Sequence, residues 1–506
     1  MAFIGTILQE VVMVNKLYKK SFSASTLQYN TLKKLLFKAK NTEFGLKYKF
    51  SEILKSDNIV ESFQNKVPIY DYNKMLGDWW YRSKEGRVGV AWPGKVKYFG
   101  LTSGTSDAAS KTVPITSDMI RAIRKTSLSQ IRTLTKFNLP DSFYTKNVLM
   151  VGGSTALTKI NSRLEGDLSG ILMKNLPVWF QRYYKPGKRI AKMKDWSSKL
   201  EEITINAHKW DIGIIAGVPA WVQILLEKII KHYKLNNIHE LWPNFMLFVH
   251  GGVSFSPYKS SFTKLLGKEI HYLETYLASE GFIAYRHADE NSMQMVLDNG
   301  IFYEFVEFNE NNFSNDGNLL ENPEILNIAQ VKENVDYALL LTTCAGTWRY
   351  LLGDTIKFTS VKHSEIIISG RTKHFLSMCG EHLSIDNMNK AIKNVSEQLG
   401  IAINEYTVAG IKYENLFAHQ WYIGSESEID TEQFKDILDK ELVKLNDDYG
   451  VERKAALKNV LIKQVPTETF YKWLKSKGRE GGQNKFPRVL KNDLITDWEK
   501  FILNNQ

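Results

Sequence analysis

Short apolar runs of strand length recur between residues 96 and 343, and long helical segments lie between some of them. Such runs predict strands when glycine or polar residues bound them. PAWVQILLEKIIKHY is a helical segment of this kind, with Pro219 suitably placed in its first turn. This alternation predicts an α/β fold built on more than one sheet. The predicted strands are VKYFGL, KNVLMVGG, DIGIIAG, FMLFVHGG, KEIHYLETY, SMQMVLD, IFYEFVEF and YALLLTT.

A small module is predicted to follow residue 372. Ser384 is suited to cap a helix through IDNMNKAIKNVSEQL, and Thr431 opens a second helix. EYTVAGIKY, HQWYIGS and NVLIKQV have strand character, so the module has the order α-β-β-α-β. We therefore divide the chain into a large N-terminal domain of several β-sheets and packed helices, residues 1–372, and a small α+β C-terminal domain, residues 373–506.

Composition and charge narrow the classes of partner. The chain has 506 residues and a net charge of +11, which permits binding to nucleic acid or a membrane surface. Its lysines are scattered among acidic residues without a long block of like charge, which favours a general basic surface, or attraction to anionic small molecules, instead. We expect no nucleic-acid partner, and the sequence does not indicate the oligomeric state.

The sequence also bears on the cellular compartment. No run of about 18 uncharged apolar residues predicts a transmembrane helix, so no membrane partner is expected. The N-terminal twenty residues lack the order of a signal peptide and predict an amphipathic helix. The chain has 2 cysteines, Cys344 and Cys379, too few for a disulfide framework in so long a protein. A cytoplasmic location is expected.

The stretch YFGLTSGTSDAASK, residues 98–111, is rich in glycine and hydroxyl side chains. It lacks the glycine and lysine spacing of a Walker loop. A turn of this composition between two strands can still bind phosphate, because successive backbone N–H groups and hydroxyls point at the anion. In isolation, a solvated hairpin turn is the commoner explanation. The hydroxyl donors are Thr102, Ser103, Thr105 and Ser106.

Three other stretches carry candidate nucleotide ligands. HYLETYLASEGFIAYR places Tyr276 and Glu280 at a strand end, where open α/β sheets bind ligands and where a glutamate suits Mg²⁺. GTWRYLLGDTIKF places Asp354 after Gly353 in a turn, suited to a ribose diol. REGGQNKFPRVL offers Lys485 beside two glycines. In isolation these are an ordinary surface acid, a turn residue and a basic loop.

Taken in order, TSGTSDAASK, YLASE and WRYLLGD resemble the three nucleotide motifs of the GH3 family of acyl acid amido synthetases. More distantly they resemble the adenylate-forming superfamily. VHGGVSF is similar to that superfamily's Gly-Gly strand end, ISGRTKHFLSMCGEHLS to its hinge, with Lys373 at the pivot, and GGQNKFPR to its C-terminal lysine segment. The resemblance implies a large ATP- and acyl-binding domain joined by a hinge to a mobile small domain.

The chain departs from the plant pattern in places. Asp107 stands in the phosphate turn, where many relatives have a small residue or glycine, and Trp348 stands where plant members commonly have tyrosine. The hinge segment is closer to the wider superfamily than to the plant hinge. The chain therefore resembles a bacterial-type member, for which a plant-hormone substrate is not assumed.

The resemblance implies a two-step reaction that uses ATP and Mg²⁺. A carboxylate attacks the α-phosphate of ATP, which gives an acyl-adenylate and pyrophosphate. An amine, usually that of an amino acid, then attacks the acyl carbon to form an amide. Lys485 and Glu280 are the implied catalytic residues, with Glu280 also the magnesium ligand. The implied nucleotide-binding residues are Thr102, Ser103, Thr105, Ser106, Lys111, Tyr276, Ser279, Asp354 and Arg371.

The implied acyl pocket is drawn from residues 120–134 and from AGVPAWVQ. Simple core packing explains each of its residues at least as well. His250 and His271 are further candidates as bases, although both lie at strand ends. The implied pocket residues are Val218, Trp221, Gly251 and Gly252.

Two alternatives remain open. A ligase that forms an acyl-CoA or another thioester would share the adenylation step and differ only in the second acceptor. A catalytically inactive nucleotide-binding protein would share the binding residues alone. The motifs identify neither the carboxylic acid nor the amino acid.

Overall fold

The structure is a computed structural model that describes residues 22–102, 111–137, 139–252, 255, 258–287, 292–314, 317–372, 376, 383–413, 416–446, 449–450, 453–454, 457–479, 485–490 and 493–504. The predicted N-terminal amphipathic helix lies outside these residues. The described part confirms the predicted α/β class, with strands in three sheets and helices packed on them. None of its helices is both long and apolar enough to traverse a bilayer.

The strands are numbered in chain order. They are β1 (Tyr98–Thr102), β2 (Lys111–Ile115), β3 (Asn147–Val151), β4 (Thr158–Ile160), β5 (Arg163–Asp167), β6 (Tyr184–Lys185), β7 (Ile212–Gly217), β8 (Leu247–Gly251), β9 (His271–Ala278), β10 (Gly281–Arg286), β11 (Met293–Met295), β12 (Ile301–Glu307), β13 (Asp336–Thr343), β14 (Thr347–Ser360), β15 (Glu365–Arg371), β16 (Glu405–Tyr413), β17 (Leu416–Gly424), β18 (Leu457–Val465) and β19 (Val489–Leu490).

The helices fall before, between and after these strands. The α-helices are Ala24–Ala39, Glu43–Lys47, Phe50–Ile53, Ile59–Lys66, Tyr72–Met75, Tyr81–Lys84, Ser117–Thr133, Leu168–Lys174, Lys188–Ala191, Trp196–Asn206, Pro219–Tyr233, Lys259–Leu265, Ile385–Leu399, Thr431–Leu445, Thr467–Ser476 and Asp493–Asn504. A π-helical turn spans Leu76–Trp80, and 3₁₀ turns span Leu134–Lys136, Asp141–Thr145, Val178–Arg182, Ala207–Lys209 and Ile238–Glu240.

The largest sheet has 11 strands in the order β12-β13-β14-β15-β11-β10-β9-β8-β7-β3-β6. The strand pairs from β9 to β6 in this order are parallel, and the pairs from β12 to β9 are antiparallel. Because β7 and β8 run in parallel, the residues that follow Gly217 and Gly251 emerge at the same edge of the sheet. That edge positions the candidate site.

Two smaller sheets flank this one. The first, β2-β1-β5-β4, contains the antiparallel hairpin of β1 and β2. The second, β18-β17-β16-β19, is built entirely from strands after residue 404. We call residues 22–372 the N-terminal unit and residues 383–504 the C-terminal unit.

Local sequence explains where several helices begin and end. Pro219 stands in the first turn of its helix, as predicted, where its missing N–H costs no hydrogen bond. Ser384 and Asn387 form a capping box at the start of Ile385–Leu399, and Gly400, at φ +64°, ends that helix. The predicted helix that opens at Thr431 is also confirmed.

A cluster of aromatic side chains lies in the core of the N-terminal unit. Trp348 is fully buried there, stacks on Phe44 at 5.4 Å between ring centroids and donates a hydrogen bond to the Ala91 carbonyl at 3.0 Å. Tryptophan in place of the tyrosine that plant members commonly have at position 348 is therefore a difference in core packing. Next to it, Arg349 forms a buried ion pair with Glu304 at 2.9 Å.

The structure corrects two predictions. Gly353 and Asp354 were expected in a turn, but both lie within the continuous strand β14. Gly353 has φ +87°, and the pairing of β14 with both neighbours shifts near this point, so the glycine accommodates an irregularity instead of ending the strand.

The second correction concerns the C-terminal module. The predicted order α-β-β-α-β omitted two helices that the structure contains, Thr467–Ser476 and Asp493–Asn504. The boundary at 372/373 stays a prediction, because Lys373 lies outside the described residues.

Candidate active site

Asp354 on β14 is the polar centre of the candidate site. Its Oδ2 accepts a hydrogen bond from the Tyr276 hydroxyl at 2.6 Å, and its Oδ1 accepts one from Nε of Arg371 at 2.6 Å. Arg371 is the cross-strand partner of Asp354 in the β14–β15 ladder, which explains why the two charges meet. The Asp354 charge raises the pKa of Arg371, and burial raises that of Tyr276.

Glu280 lies in the turn between β9 and β10 and is only 7% exposed. Burial raises the pKa of Glu280 to about 7, and the Asp354 charge adds to the effect, while Arg371 and Lys111 oppose it. The described residues contain no cluster of three or more His, Cys, Asp or Glu side chains suited to a metal. A lone buried carboxylate still fits Mg²⁺, which takes few protein ligands and keeps phosphate oxygens and water as the others.

The β1–β2 hairpin contacts the turn that carries Glu280. Thr102 and Lys111 are paired across the hairpin and mark the two ends of its loop. The Ser279 hydroxyl lies 3.4 Å from the Leu101 carbonyl oxygen and donates a hydrogen bond to it, which ties the hairpin to the turn after β9. The predicted donors Ser103, Thr105 and Ser106, together with Asp107, lie outside the described residues.

Lys485 reaches this cleft from the C-terminal unit. A Cβ atom placed on Gly252 would lie 3.2 Å from Cε of Lys485 and 3.7 Å from Cγ2 of Val218, so the lysine lies directly against the glycine. The Lys485 residue is exposed, yet the protein packed around its amine reduces its solvation and lowers its pKa to about 8. The charge of Arg371 lowers this pKa further, and that of Asp354 opposes it.

The predicted acyl-pocket residues divide into two groups. Val218 and Gly252 border Lys485, as described above. Gly251 has no space for a side chain, because a Cβ there would lie 2.3 Å from the Thr275 carbonyl oxygen. Trp221 is 4% exposed and packs edge-on against Trp196 at 5.2 Å, so it is part of a core in this structure.

Two aromatic residues near the site were not predicted. The Tyr72 hydroxyl accepts a hydrogen bond from the Thr112 N–H at 3.0 Å, and the Lys111 amine lies 5.1 Å from the Tyr72 ring centroid. Tyr350 is buried, which raises its pKa, and the charge of Glu280 raises that pKa further. Tyr72 lies in a helical region without a ligand-binding motif, so no sequence signal identified it. Tyr350 belongs to WRYLLGD, which could have drawn attention to it.

His250, considered as a base, is poorly suited to that role. It is 2% exposed, and burial lowers its pKa to about 3, with a smaller contribution from the charge of Arg286. An imidazole with so low a pKa is a weak proton acceptor near neutral pH. His271 begins β9, and its ring lies against Phe137 at 4.4 Å between centroids.

Three family models match the chain. The GH3 family N-terminal domain matches residues 13–159 and 125–270, the GH3 family central domain matches residues 294–368, and the GH3 family C-terminal domain matches residues 386–493. These matches cover most of the chain. Comparison with curated protein sequences finds no match.

Solved structures with the same fold cover nearly the whole chain. A GH3.15 acyl acid amido synthetase superimposes with a TM-score of 0.76 at 15% identity, over 95% of this chain and 94% of that one. A structure of AtGH3.15 in complex with 2,4-DB gives 0.75 at 16% identity, with the same coverage. A 2-hydroxyisobutyryl-CoA ligase in the postadenylation state gives 0.60 at 13% identity, over 95% of this chain and 92% of that one. At these identities the likeness establishes the fold alone.

Replacing Glu280 with glutamine is expected to raise the thermal midpoint at about pH 8 and to leave it nearly unchanged at about pH 5, without nucleotide or Mg²⁺. The folded carboxyl stays protonated up to its pKa of about 7, whereas the unfolded one ionises near the ordinary value of 4.5. The folded state therefore binds more protons between these values, and the wild type loses stability as pH rises through that window, by at most about 1.4 kcal/mol per pH unit.

The control for this prediction is Glu397→Gln, because the Glu397 side chain is 66% exposed. Thermal midpoints of the three proteins would be recorded across the window. A Glu280→Gln difference that is the same at both ends of the window would contradict the raised pKa.

Proposed function

Because the chain belongs to the GH3 family of adenylate-forming ligases, we propose that it is an ATP-dependent acyl acid amido synthetase. It adenylates a carboxylic acid, releases pyrophosphate, and transfers the acyl group to the amine of an amino acid. The observation that carries the proposal is the position of Lys485, which comes from the C-terminal unit, lies against Gly252 and is influenced by the charges of Asp354 and Arg371. A cleft with this charge pattern suits a nucleotide.

Asp354 is the proposed acceptor for the ribose hydroxyls. An ionised carboxylate has about four lone-pair positions, and the bonds from Tyr276 and Arg371 use one on each oxygen. One position therefore remains on each oxygen for the two ribose O–H donors. The bonds from Tyr276 and Arg371 also fix the plane of the carboxylate before the nucleotide binds, which reduces the cost of ordering it.

The triphosphate is proposed to lie between the β1–β2 hairpin and Glu280. Lys111 and Arg371 supply the positive charge, since both act on the Glu280 carboxyl. Glu280 would hold Mg²⁺, which lowers the cost of gathering negative charge on the phosphates when it is bound. The positive partners of Glu280 and its raised pKa are consistent with a carboxyl that becomes fully ionised only beside a cation.

Lys485 is proposed to act during adenylation. A carboxylic acid substrate is already ionised near neutral pH, so its attack on phosphorus needs no general base. It does need a cation that brings two anions together and stabilises the charge that develops on the α-phosphate. Because the Lys485 side chain lies against Gly252, near Val218, we propose that its amine meets the acyl carboxylate and the α-phosphate there.

The remaining predictions are proposed on the same basis. The chain divides at 372/373 into the ATP- and acyl-binding domain and the mobile small domain, with a hinge at Lys373. Val218, Gly251 and Gly252 border the acyl carboxylate, and Trp221 supports that pocket from the core. We place the enzyme in the cytoplasm, with carboxylic acid and amino acid as its small-molecule partners. The family favours an amide over a thioester product.

The proposed function is tested by pyrophosphate release with a panel of carboxylic acids, combined first with amino acids and then with coenzyme A. We expect sustained release that requires one acid and one amino acid but not coenzyme A. Release that requires coenzyme A would instead identify a thioester-forming ligase. No release or ATP–pyrophosphate exchange with any acid would leave nucleotide binding as the remaining function.

Lys485→Ala is expected to slow carboxylate-dependent ATP–pyrophosphate exchange about a hundredfold, the usual loss when one preorganised cation or donor is removed from a developing anion. ATP affinity, measured by calorimetry, should change far less. Lys458→Ala, on the exposed face of β18, is the control. Exchange at the wild-type rate in Lys485→Ala would exclude the lysine from this role.

A further inference from the structure

The N-terminal and C-terminal units meet near Lys485 through a buried polar contact. Tyr258, which follows Gly252 by a few residues, donates a hydrogen bond from its hydroxyl to Oε1 of Glu405 at 2.8 Å. Arg488, which follows Lys485 on the same segment, donates from Nη1 to Oε2 of the same carboxylate at 2.5 Å. One carboxylate thus connects the segment after Gly252 with the segment that carries Lys485.

All three side chains of this contact are shielded from water. Tyr258 is 1% exposed, the Glu405 side chain 5% and the Arg488 side chain 11%. The Arg488 guanidinium also stacks over the Tyr406 ring at 4.5 Å and donates a hydrogen bond to the Tyr406 carbonyl at 2.9 Å. Burying a charged pair costs desolvation free energy, and apolar residues of similar volume often stabilise an interface as well or better. What the Glu405–Arg488 pair adds over apolar residues is therefore a defined geometry between the two units, because its hydrogen bonds form in one arrangement.

The segment from Lys485 to Arg488 is held firmly by the C-terminal unit. Phe486 packs in an aromatic cluster, with Phe470 at 4.8 Å and Trp498 at 4.9 Å between centroids. The Pro487 carbonyl accepts a hydrogen bond from the Thr407 hydroxyl at 2.7 Å. The Arg488 carbonyl accepts one from the backbone N–H of the next β16 residue, Val408, at 3.0 Å. Because this segment moves with β16, any contact that fixes β16 against the N-terminal unit also fixes the Lys485 backbone.

We propose that Tyr258, Glu405 and Arg488 form a latch between the two units that positions Lys485 in the cleft for adenylation. This proposal rests on the proposed function for the role of Lys485, but not for the existence of the latch. Tyr258 is thus a positioning residue that acts through Glu405, Arg488 and Lys485. The neighbouring contact between the Ser261 hydroxyl and Asn404, at 2.7 Å, extends the same junction.

The C-terminal unit contains a matched control for this latch. Tyr449 is fully buried and donates a hydrogen bond to Oδ1 of Asp439 at 2.6 Å, while Arg453 pairs with Oδ2 of Asp439 at 2.7 Å. This is the same set of phenol, carboxylate and guanidinium, but it lies wholly within one unit. Tyr449→Phe therefore removes the same hydrogen bond as Tyr258→Phe without touching the junction.

The first test measures carboxylate-dependent ATP–pyrophosphate exchange, with the acid that the panel identifies. Tyr258→Phe is expected to lower the maximal rate about tenfold, the factor expected for one hydrogen bond to a buried carboxylate. The ATP concentration at half the maximal rate should change less than about twofold, and Tyr449→Phe should behave as wild type. Equal losses in the two variants would overturn the latch.

A double-mutant cycle separates positioning from general stability. If Tyr258 acts through Lys485, adding Tyr258→Phe to Lys485→Ala should lower the residual exchange rate less than twofold, although it lowers the wild-type rate about tenfold. A second tenfold loss in the Lys485→Ala background would show that Tyr258 acts independently of Lys485 and would refute the positioning role.

A second readout needs no substrate. Reduced solvation and the charges of Arg371 and Arg488 lower the pKa of Lys485 to about 8, against the opposing charge of Asp354. Amine acylation followed by peptide mass spectrometry would give the pH midpoint of Lys485 labelling in each protein. Tyr258→Phe should move this midpoint toward about 10.4, the ordinary value for lysine, and Tyr449→Phe should not.

The labelling result distinguishes a failure of the latch from a failure of the proposed function. If no acid supports exchange but Tyr258→Phe alone shifts the labelling midpoint, the latch stands and the proposed function fails. If exchange occurs but Tyr258→Phe matches Tyr449→Phe in both rate and midpoint, the function stands and the latch fails.

Discussion

The hydrogen bond between Tyr276 and Asp354 constrains the shape of the large sheet. Tyr276 lies on β9 and Asp354 on β14, and β10, β11 and β15 separate these strands in the sheet. In a flat sheet, four steps of about 4.8 Å would place them about 19 Å apart, far beyond the reach of two side chains. The sheet must therefore curl so that the two strands face each other. The three-residue strand β11, Met293–Met295, lies in the middle of that curve and is short enough to permit it.

The curvature of the large sheet brings several charged side chains together between β9 and β14. Asp354, Arg371 and Glu280 influence one another there, Lys111 adds a cation from the hairpin, and Lys485 adds one from the C-terminal unit. Reduced solvation disfavours the charged form of both side chains. It therefore raises the pKa of Glu280 and lowers that of Lys485. A polyanion and its cation would relieve both effects, because the phosphates favour the protonated lysine and the metal favours the ionised glutamate. This is the physical reason why the arrangement suits ATP with Mg²⁺.

The sequence was informative where structure follows from local pattern. Apolar runs identified many strands of the large sheet, and Ser384 identified the start of a helix in the C-terminal unit. The strands found in this way are β3, β7, β8, β9, β11, β12 and β13. The sequence-based prediction of a turn at Gly353 and Asp354 was wrong. A glycine before an aspartate is typical of a turn, but here the glycine accommodates an irregularity within β14. The contact between Tyr258 and Glu405 could not be foreseen, since its partners are 147 residues apart and neither lies in a recognised motif. Such contacts depend on how separate units dock.

The central claim is that the carboxylic acid attacks the α-phosphate of ATP in the cleft between Asp354 and Lys485. The most direct measurement uses a substrate acid labelled with ¹⁸O in its carboxylate, followed by mass spectrometry of the nucleotide and phosphate products. Attack on the α-phosphate transfers one carboxylate oxygen to the nucleotide, so each amide formed should be matched by one ¹⁸O atom in AMP. Label in inorganic phosphate, or unlabelled AMP beside the amide product, would contradict the account.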